Sequence, residues 1–384
     1  MQRSPEPFQK KMKHAKWSLI LILALTGVGC SALANKERTG IVITRRAQLR
    51  SSTALVAADI KEVVRNDAVD ILDSNTAENG EQWLHVRTHD AESTEGWLEA
   101  RNIMPQEMLE RSRQLAHEDD GIPAQAAGQL RASTNIRFSP DRSRNDNILM
   151  KLESGARFDI VGWKRVPKPK SSETTESDDA PKAGAAQQSE DRRREGDDLK
   201  MPEETNELWY KVRLSPSVSP APAGWVYGKQ VELTVPSDII FYRTGREFVA
   251  WQRLDAEPER TEQSSQQSSQ GEADSTRDTQ PGSWVILEKS SASDTGKPDA
   301  PDFDRIYVLG YDKDRQEHYT VYRSPDLEGY LPLRVEEQGD KKIFTLKLQH
   351  EGQLKDARYR VTTDDRGLLR IEALDEAAKT GKKR

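Results

Sequence analysis

The sequence predicts an all-β protein: two small barrels built on one repeated pattern, then an antiparallel β-meander forming a barrel or sandwich, with disordered insertions. Three observations predict this. Short runs of alternating apolar and polar residues, broken by turn residues, fill most of the chain. A set of landmarks recurs in the same order at 39–104 and at 127–235. Finally, 34% hydrophobic and 32% charged residues, with 6% aromatic, are too polar for one large core, so several small cores joined by unstructured segments are expected.

The amino terminus reads as an address. Lys10, Lys11, Lys13 and Lys16 precede an apolar run from Trp17 to Val28, the charged-then-apolar order of a secretory signal peptide over residues 1–34. An uncleaved anchor requires roughly 20 apolar residues and is reached only by counting on through Ala34. Leu25-Thr26-Gly27-Val28-Gly29-Cys30 resembles a lipobox, although Gly27 stands where leucine is usual. The resemblance implies cleavage before Cys30 and lipid on its thiol, while Ala32-Leu33-Ala34 offers ordinary cleavage after Ala34 and a secreted soluble protein. Cys30 is the only cysteine, which excludes an internal disulfide and multi-cysteine metal sites. Met12 begins a signal of normal shape, so residues 1–11 are an overlong start on this reading.

The repeat sets the next two domains. Gln48-Leu49-Arg50 recurs as Gln129-Leu130-Arg131, Asp70-Ile71 as Asp159-Ile160, Trp83-Leu84-His85-Val86 as Trp209-Tyr210-Lys211-Val212, and Gly96-Trp97-Leu98 as Gly224-Trp225-Val226. This order resembles the bacterial SH3-like family, two copies of which cover under half of the chain. The resemblance implies small β-barrels that bind peptidoglycan or envelope proteins. The second copy departs from the family by an insertion at 167–206, rich in Pro, Ser, Glu, Asp and Arg, which is expected to be a disordered loop. Between the copies, residues 105–120 read as a helical linker, with Met108, Leu109 and Leu115 as a thin apolar stripe suited to a barrel edge.

From 240 to 375 an antiparallel β domain is expected, with strands at 247–255, 283–289, 304–312, 317–323, 329–336, 341–349, 356–362 and 367–373. Residues 304–312 are apolar on both parities and predict a central strand. Asp364-Asp365-Arg366-Gly367 predicts a hairpin turn, 256–282 a low-complexity loop and 376–384 a basic tail.

No catalytic site is legible. The 58 basic and 64 acidic residues are intermixed, for a net charge of -6, so no basic face for nucleic acid emerges. The histidines are scattered, with His85 and His89 read as surface residues, and Asp312-Lys313-Asp314 with Glu317 lacks the later ligands of a calcium loop. No metal or cofactor is expected. The sequence therefore points to a non-catalytic, lipid-anchored envelope protein facing the periplasm or the exterior, with an enzyme of unknown type in the C-terminal sheet as the alternative. The candidate binding residues are Trp83, Trp97, Trp209, Trp225 and Tyr227. Strand parity puts Leu84 and Val86 toward the core and the tryptophans on the opposite face. There they either seal the barrel or form an aromatic platform, with Trp209, Trp225 and Tyr227 favoured for the platform.

Overall fold

The computed structural model describes residues 38–169, 205–243, 245–255, 280–291, 297–338 and 341–379. The expected signal segment with Cys30, most of the 167–206 insertion, most of the 256–282 loop and the last residues of the tail lie outside them. The described chain is nearly all β, in antiparallel sheets. It divides into two compact units, Met1–Gln106 and Glu107–Arg384.

The first unit holds β1 (Arg38–Val42), β2 (Arg46–Arg50), β3 (Asp59–Val64), β4 (Ala68–Thr76), β5 (Gln82–Thr88), β6 (Glu95–Glu99) and β7 (Ile103–Pro105). They form one seven-stranded sheet in the order β3-β2-β6-β5-β4-β1-β7. Because each strand alternates its side chains, each of the seven supplies one residue to the core: Val42, Leu49, Val63, Val69, Val86, Leu98 and Ile103.

The second unit repeats this sheet with β8 (Ala126–Leu130), β9 (Thr134–Arg137), β10 (Ile148–Leu152), β11 (Arg157–Pro167), β12 (Asn206–Arg213), β13 (Ala223–Tyr227) and β14 (Val231–Leu233). Its order, β10-β9-β13-β12-β11-β8-β14, is the first with every strand advanced by seven. Pairing corrects the first landmark of the repeat. Val42 pairs with Ile103 as Leu130 pairs with Val231, and Arg50 pairs with Trp97 as Arg137 pairs with Trp225. Gln48-Leu49-Arg50 therefore corresponds to Asn135-Ile136-Arg137, whereas Gln129-Leu130 lies on the first strand of its sheet. Polar-apolar alternation is common to both strands, so a short motif does not tell them apart; the pairing register does.

The helix Gln106–His117 packs on the edge of the second barrel. Ser112, fully buried, donates through Oγ to Ala223 O at 2.6 Å and accepts from Ala223 N at 3.1 Å, while Arg111 stacks on Phe138 at 3.8 Å. One helix side chain thus satisfies an otherwise open strand edge.

The C-terminal part forms two four-stranded meanders. One is β15 (Glu247–Arg253), β16 (Trp284–Lys289), β17 (Arg305–Asp312) and β18 (Glu317–Arg323). The other is β19 (Gly329–Gln338), β20 (Lys341–His350), β21 (Gln353–Thr363) and β22 (Leu369–Ala373). They share one core, with Val285, Leu287, Ile306 and Val308 from the first sheet meeting Phe344, Leu346 and Tyr359 from the second. Tyr307 and Leu309, on the other parity of β17, are buried as well, so both faces of that strand are covered. Asp238, in the segment leading to this domain, fastens that segment by accepting from Trp284 Nε1 at 2.9 Å and Gly282 N at 3.1 Å.

Gln125 joins the second barrel to the meanders. Its buried side chain acts as a strand would: Oε1 accepts from Leu333 N at 2.7 Å and Nε2 donates to Leu333 O at 3.0 Å. Trp163 adds an Nε1 bond of 2.6 Å to Asp302, whose other oxygen accepts from Leu331 N at 3.0 Å. Replacing Gln125 by Ala strands the buried Leu333 N–H, so chemical denaturation of the second unit is expected to show a loss of about 1–3 kcal/mol for that group, plus the lost packing; an unchanged midpoint would contradict the clamp.

Glu288 on β16 is fully buried, and neither carboxylate oxygen has a hydrogen-bond partner. Burial pushes its carboxyl above the ordinary value of 4.5, against the opposing pull of Arg323, Arg305 and Arg246. A carboxyl raised on folding favours the folded state most below its unfolded pKa and loses that contribution as pH rises. Glu288→Gln is therefore expected to raise Tm at neutral pH and to lose this advantage as pH falls through the raised value toward 4.5; a Tm difference independent of pH would refute this.

Candidate functional site

In the first barrel, β5 stays paired with β6 from Trp83↔Glu99 to Arg87↔Glu95, whereas β2 meets β6 only at Arg50↔Trp97. Gly96 makes that meeting possible. A Cβ there would stand 2.7 Å from Leu49 Cγ and 2.9 Å from Arg50 O; at the equivalent Gly224 it would stand 3.0 Å from Ile136 Cγ2 and 3.3 Å from Arg137 O. Away from the crossing the strands part and leave a cleft of about 250 Å³ lined by Arg46, Gln48, Arg50, Trp83, Glu99 and Arg101, among others.

Trp83 is 4% exposed, and its buried Nε1 has no partner. The Arg50 guanidinium lies 5.6 Å from its ring and is held by Nη2 bonds to Leu55 O at 2.8 Å and Ala57 O at 3.2 Å. On the opposite wall Glu99 accepts from Arg101 Nε at 2.5 Å and from Asn102 Nδ2 at 3.4 Å. Trp97, half-buried, faces His85 with ring centroids 5.0 Å apart. His89 remains exposed and bonds Asp70 Oδ1 at 2.7 Å.

The second barrel fills the same place with its own side chains. Tyr227 stands where the first barrel has Glu99, and its ring lies 5.5 Å from Trp209. Arg142 lies 5.2 Å from the Tyr227 ring and pairs with buried Glu207 at 2.5 Å. Trp209 is left 1% exposed, its Nε1 buried and without a partner as in Trp83. Trp225 pairs across the ladder with Lys211, whose ammonium is held by Glu118 at 2.9 Å and Asp119 at 2.8 Å.

The favoured platform of Trp209, Trp225 and Tyr227 is thus not exposed at Trp209, which Tyr227 covers. Parity separated the two faces of each strand correctly at Val86 and Val212, both fully buried, but a tightly curled sheet also encloses part of the other face. Each tryptophan pair is diagonal across its hairpin, since Trp83 opposes Glu99 and Trp97 opposes His85. Glu99, Arg46 and Arg101 escaped the sequence reading. The signal was present in the residue after each Gly-Trp element, Glu99 in Gly96-Trp97-Leu98-Glu99 and Tyr227 in Gly224-Trp225-Val226-Tyr227.

Among the described residues no group of three or more His, Cys, Asp and Glu comes together to hold a metal, and no helix is long and apolar enough to cross a membrane. Asp312 caps its own turn, accepting from Asp314 N at 2.9 Å and Arg315 N at 3.1 Å. No known protein-family pattern matches the chain, and no curated protein matches it.

The enclosed indole of Trp209 implies that Trp209→Ala costs about 3–5 kcal/mol in urea unfolding of the second unit. Trp225→Ala, at a half-buried position, is expected to cost clearly less; equal losses would show that Tyr227 does not seal Trp209.

Proposed function

We propose that this chain is a non-catalytic binding protein of the bacterial cell envelope, exported by its amino-terminal signal and held to a membrane by lipid on Cys30. Its two barrels act as SH3-like modules, and the cleft of the first takes the ligand, a peptidoglycan peptide or a segment of an envelope protein. The observation that carries this reading is the contrast between two sheets of identical strand order. One leaves an open cleft beside Trp83, and the other closes the equivalent place with Tyr227. A cleft where strands part, lined by an aromatic ring and by groups able to donate and accept hydrogen bonds, suits a short extended chain. The lipobox-like Leu25-Thr26-Gly27-Val28-Gly29-Cys30 sequence supports the envelope assignment, because a diacylglyceryl group and an amino-terminal acyl chain on such a cysteine would together give stable membrane attachment.

Two measurements test the reading. Labelled fatty acid is expected to enter the wild-type chain and not Cys30→Ala; equal labelling of both refutes the anchor. Glu99→Tyr, which gives the first barrel the plug of the second, is expected to keep the fold and abolish retention on purified sacculi or capture of an envelope partner. Undiminished retention by folded Glu99→Tyr refutes the cleft as the binding site.

A further inference from the structure

We infer that the cleft of the first barrel selects an anionic ligand, specifically an extended peptide bearing free carboxylates. This rests on the cleft being the binding site and adds the chemistry of what it holds. Arg46, Arg50 and Arg101 line it against one carboxylate, Glu99, an excess of two positive charges (three minus one). That carboxylate is already engaged by Arg101 and Asn102 on the same wall. What the cleft has left to offer is therefore mostly donors, the guanidinium groups of Arg46, Arg50 and Arg101.

The outward ion pairs of two of these arginines are loose. Arg46 meets Glu62 at 3.7 Å and Arg50 meets Asp59 at 3.7 Å, both longer than a hydrogen bond. With Glu62 and Asp59 side chains 43% and 61% exposed, such pairs contribute little in water, and a ligand carboxylate competes with them at small cost. The planar guanidinium fork matches a carboxylate in bidentate fashion. Trp83 and Leu98 also line the cleft, but both are buried, so recognition rests on the guanidinium groups. At about 250 Å³ the cleft takes a short stretch of chain rather than a whole enclosed small molecule. The second barrel has a depression of the same volume elsewhere on its surface, but its one arginine, Arg142, is matched there by Glu207 and accompanied by Asp141.

Calorimetric titration of the chain from residue 31 onward tests this. The probes are an acetylated Ala-Glu-Ala-Glu-Ala-Ala peptide with a free carboxyl terminus and its neutral twin, with Gln for Glu and an amidated terminus. The acidic peptide is expected to bind about tenfold or more tightly than the neutral one, and the difference should shrink in high salt. The double variant Arg46→Gln, Arg101→Gln should lose that preference with its Tm unchanged. Wall stem peptides with free or amidated carboxyls, run beside the synthetic pair, tell a wall source from an acidic protein segment. Equal affinity for acidic and neutral peptides, or no binding of either while Glu99→Tyr still abolishes retention on sacculi, overturns the carboxylate selectivity and leaves the cleft as the site. Retention unaffected by Glu99→Tyr overturns the cleft itself.

Discussion

Each seven-stranded sheet is held in one piece by a single backbone pair, Arg50 with Trp97 in the first and Arg137 with Trp225 in the second, and much else follows from that crossing. Two strands that meet at one residue need their backbones within contact distance, which is why glycine precedes each tryptophan. The arginine of each pair donates to the following loop. Arg50 bonds Leu55 O and Ala57 O, and Arg137 bonds Arg144 O at 2.9 Å. Beyond the crossing the strands have no ladder to share, and the face carrying Trp83 or Trp209 needs a cover. Glycine, loop brace and cleft are three consequences of one crossing, and the two barrels differ in what covers the third.

That difference sits beside a difference in support. The second barrel belongs to a larger packed unit, because Gln125 pairs with β19 as a strand would and Trp163 donates to Asp302. Burial raises the Asp302 carboxyl pKa, opposed by the Leu331 N–H and the Trp163 indole, so those donors do more for it here than they would in water. The first barrel rests on its seven-residue core. Small sheets with one layer of core side chains have little stability to spare, and mobile or ligand-responsive elements are drawn from that end of the range.

Much of the fold could be read from residue order because it depends on local chemistry. The β18 strand, 317–323, falls where alternation places it, and β17 is central because it is apolar on both parities. The Asp364–Gly367 turn forms because Asp364 Oδ1 accepts from Arg366 N and Leu368 N while Gly367 adopts φ +76, a value costly for other residues. What could not be read depends on pairing across distance. Nothing in the neighbours of Gln125 announces a partner at Leu333, and the misaligned Gln129-Leu130 landmark needed the ladder to place it. The candidate tryptophans were found because they recur, but their exposure was not, since Glu99 or Tyr227 one residue beyond the shared motif decides it.

The unpartnered indole N–H in each barrel gives that last residue its energetic meaning. A buried donor without an acceptor costs about 1–3 kcal/mol, and both Trp83 and Trp209 carry one. In the second barrel Tyr227 brings no acceptor to Nε1 but encloses the ring, so aromatic contact and burial offset the cost within the chain itself. In the first barrel Trp83 is buried without an aromatic partner at the Glu99 position, whose carboxylate is turned to Arg101 and Asn102. On the proposed reading, a ligand in the cleft beside Trp83 occupies the place that Tyr227 fills in the second barrel. Because it binds only the folded sheet, every increment of its binding appears as stability of the first barrel. Filling the cleft internally and keeping it open for a partner are competing uses of the same position, and on the proposed reading the choice between tyrosine and glutamate there separates the structural sheet from the one that binds.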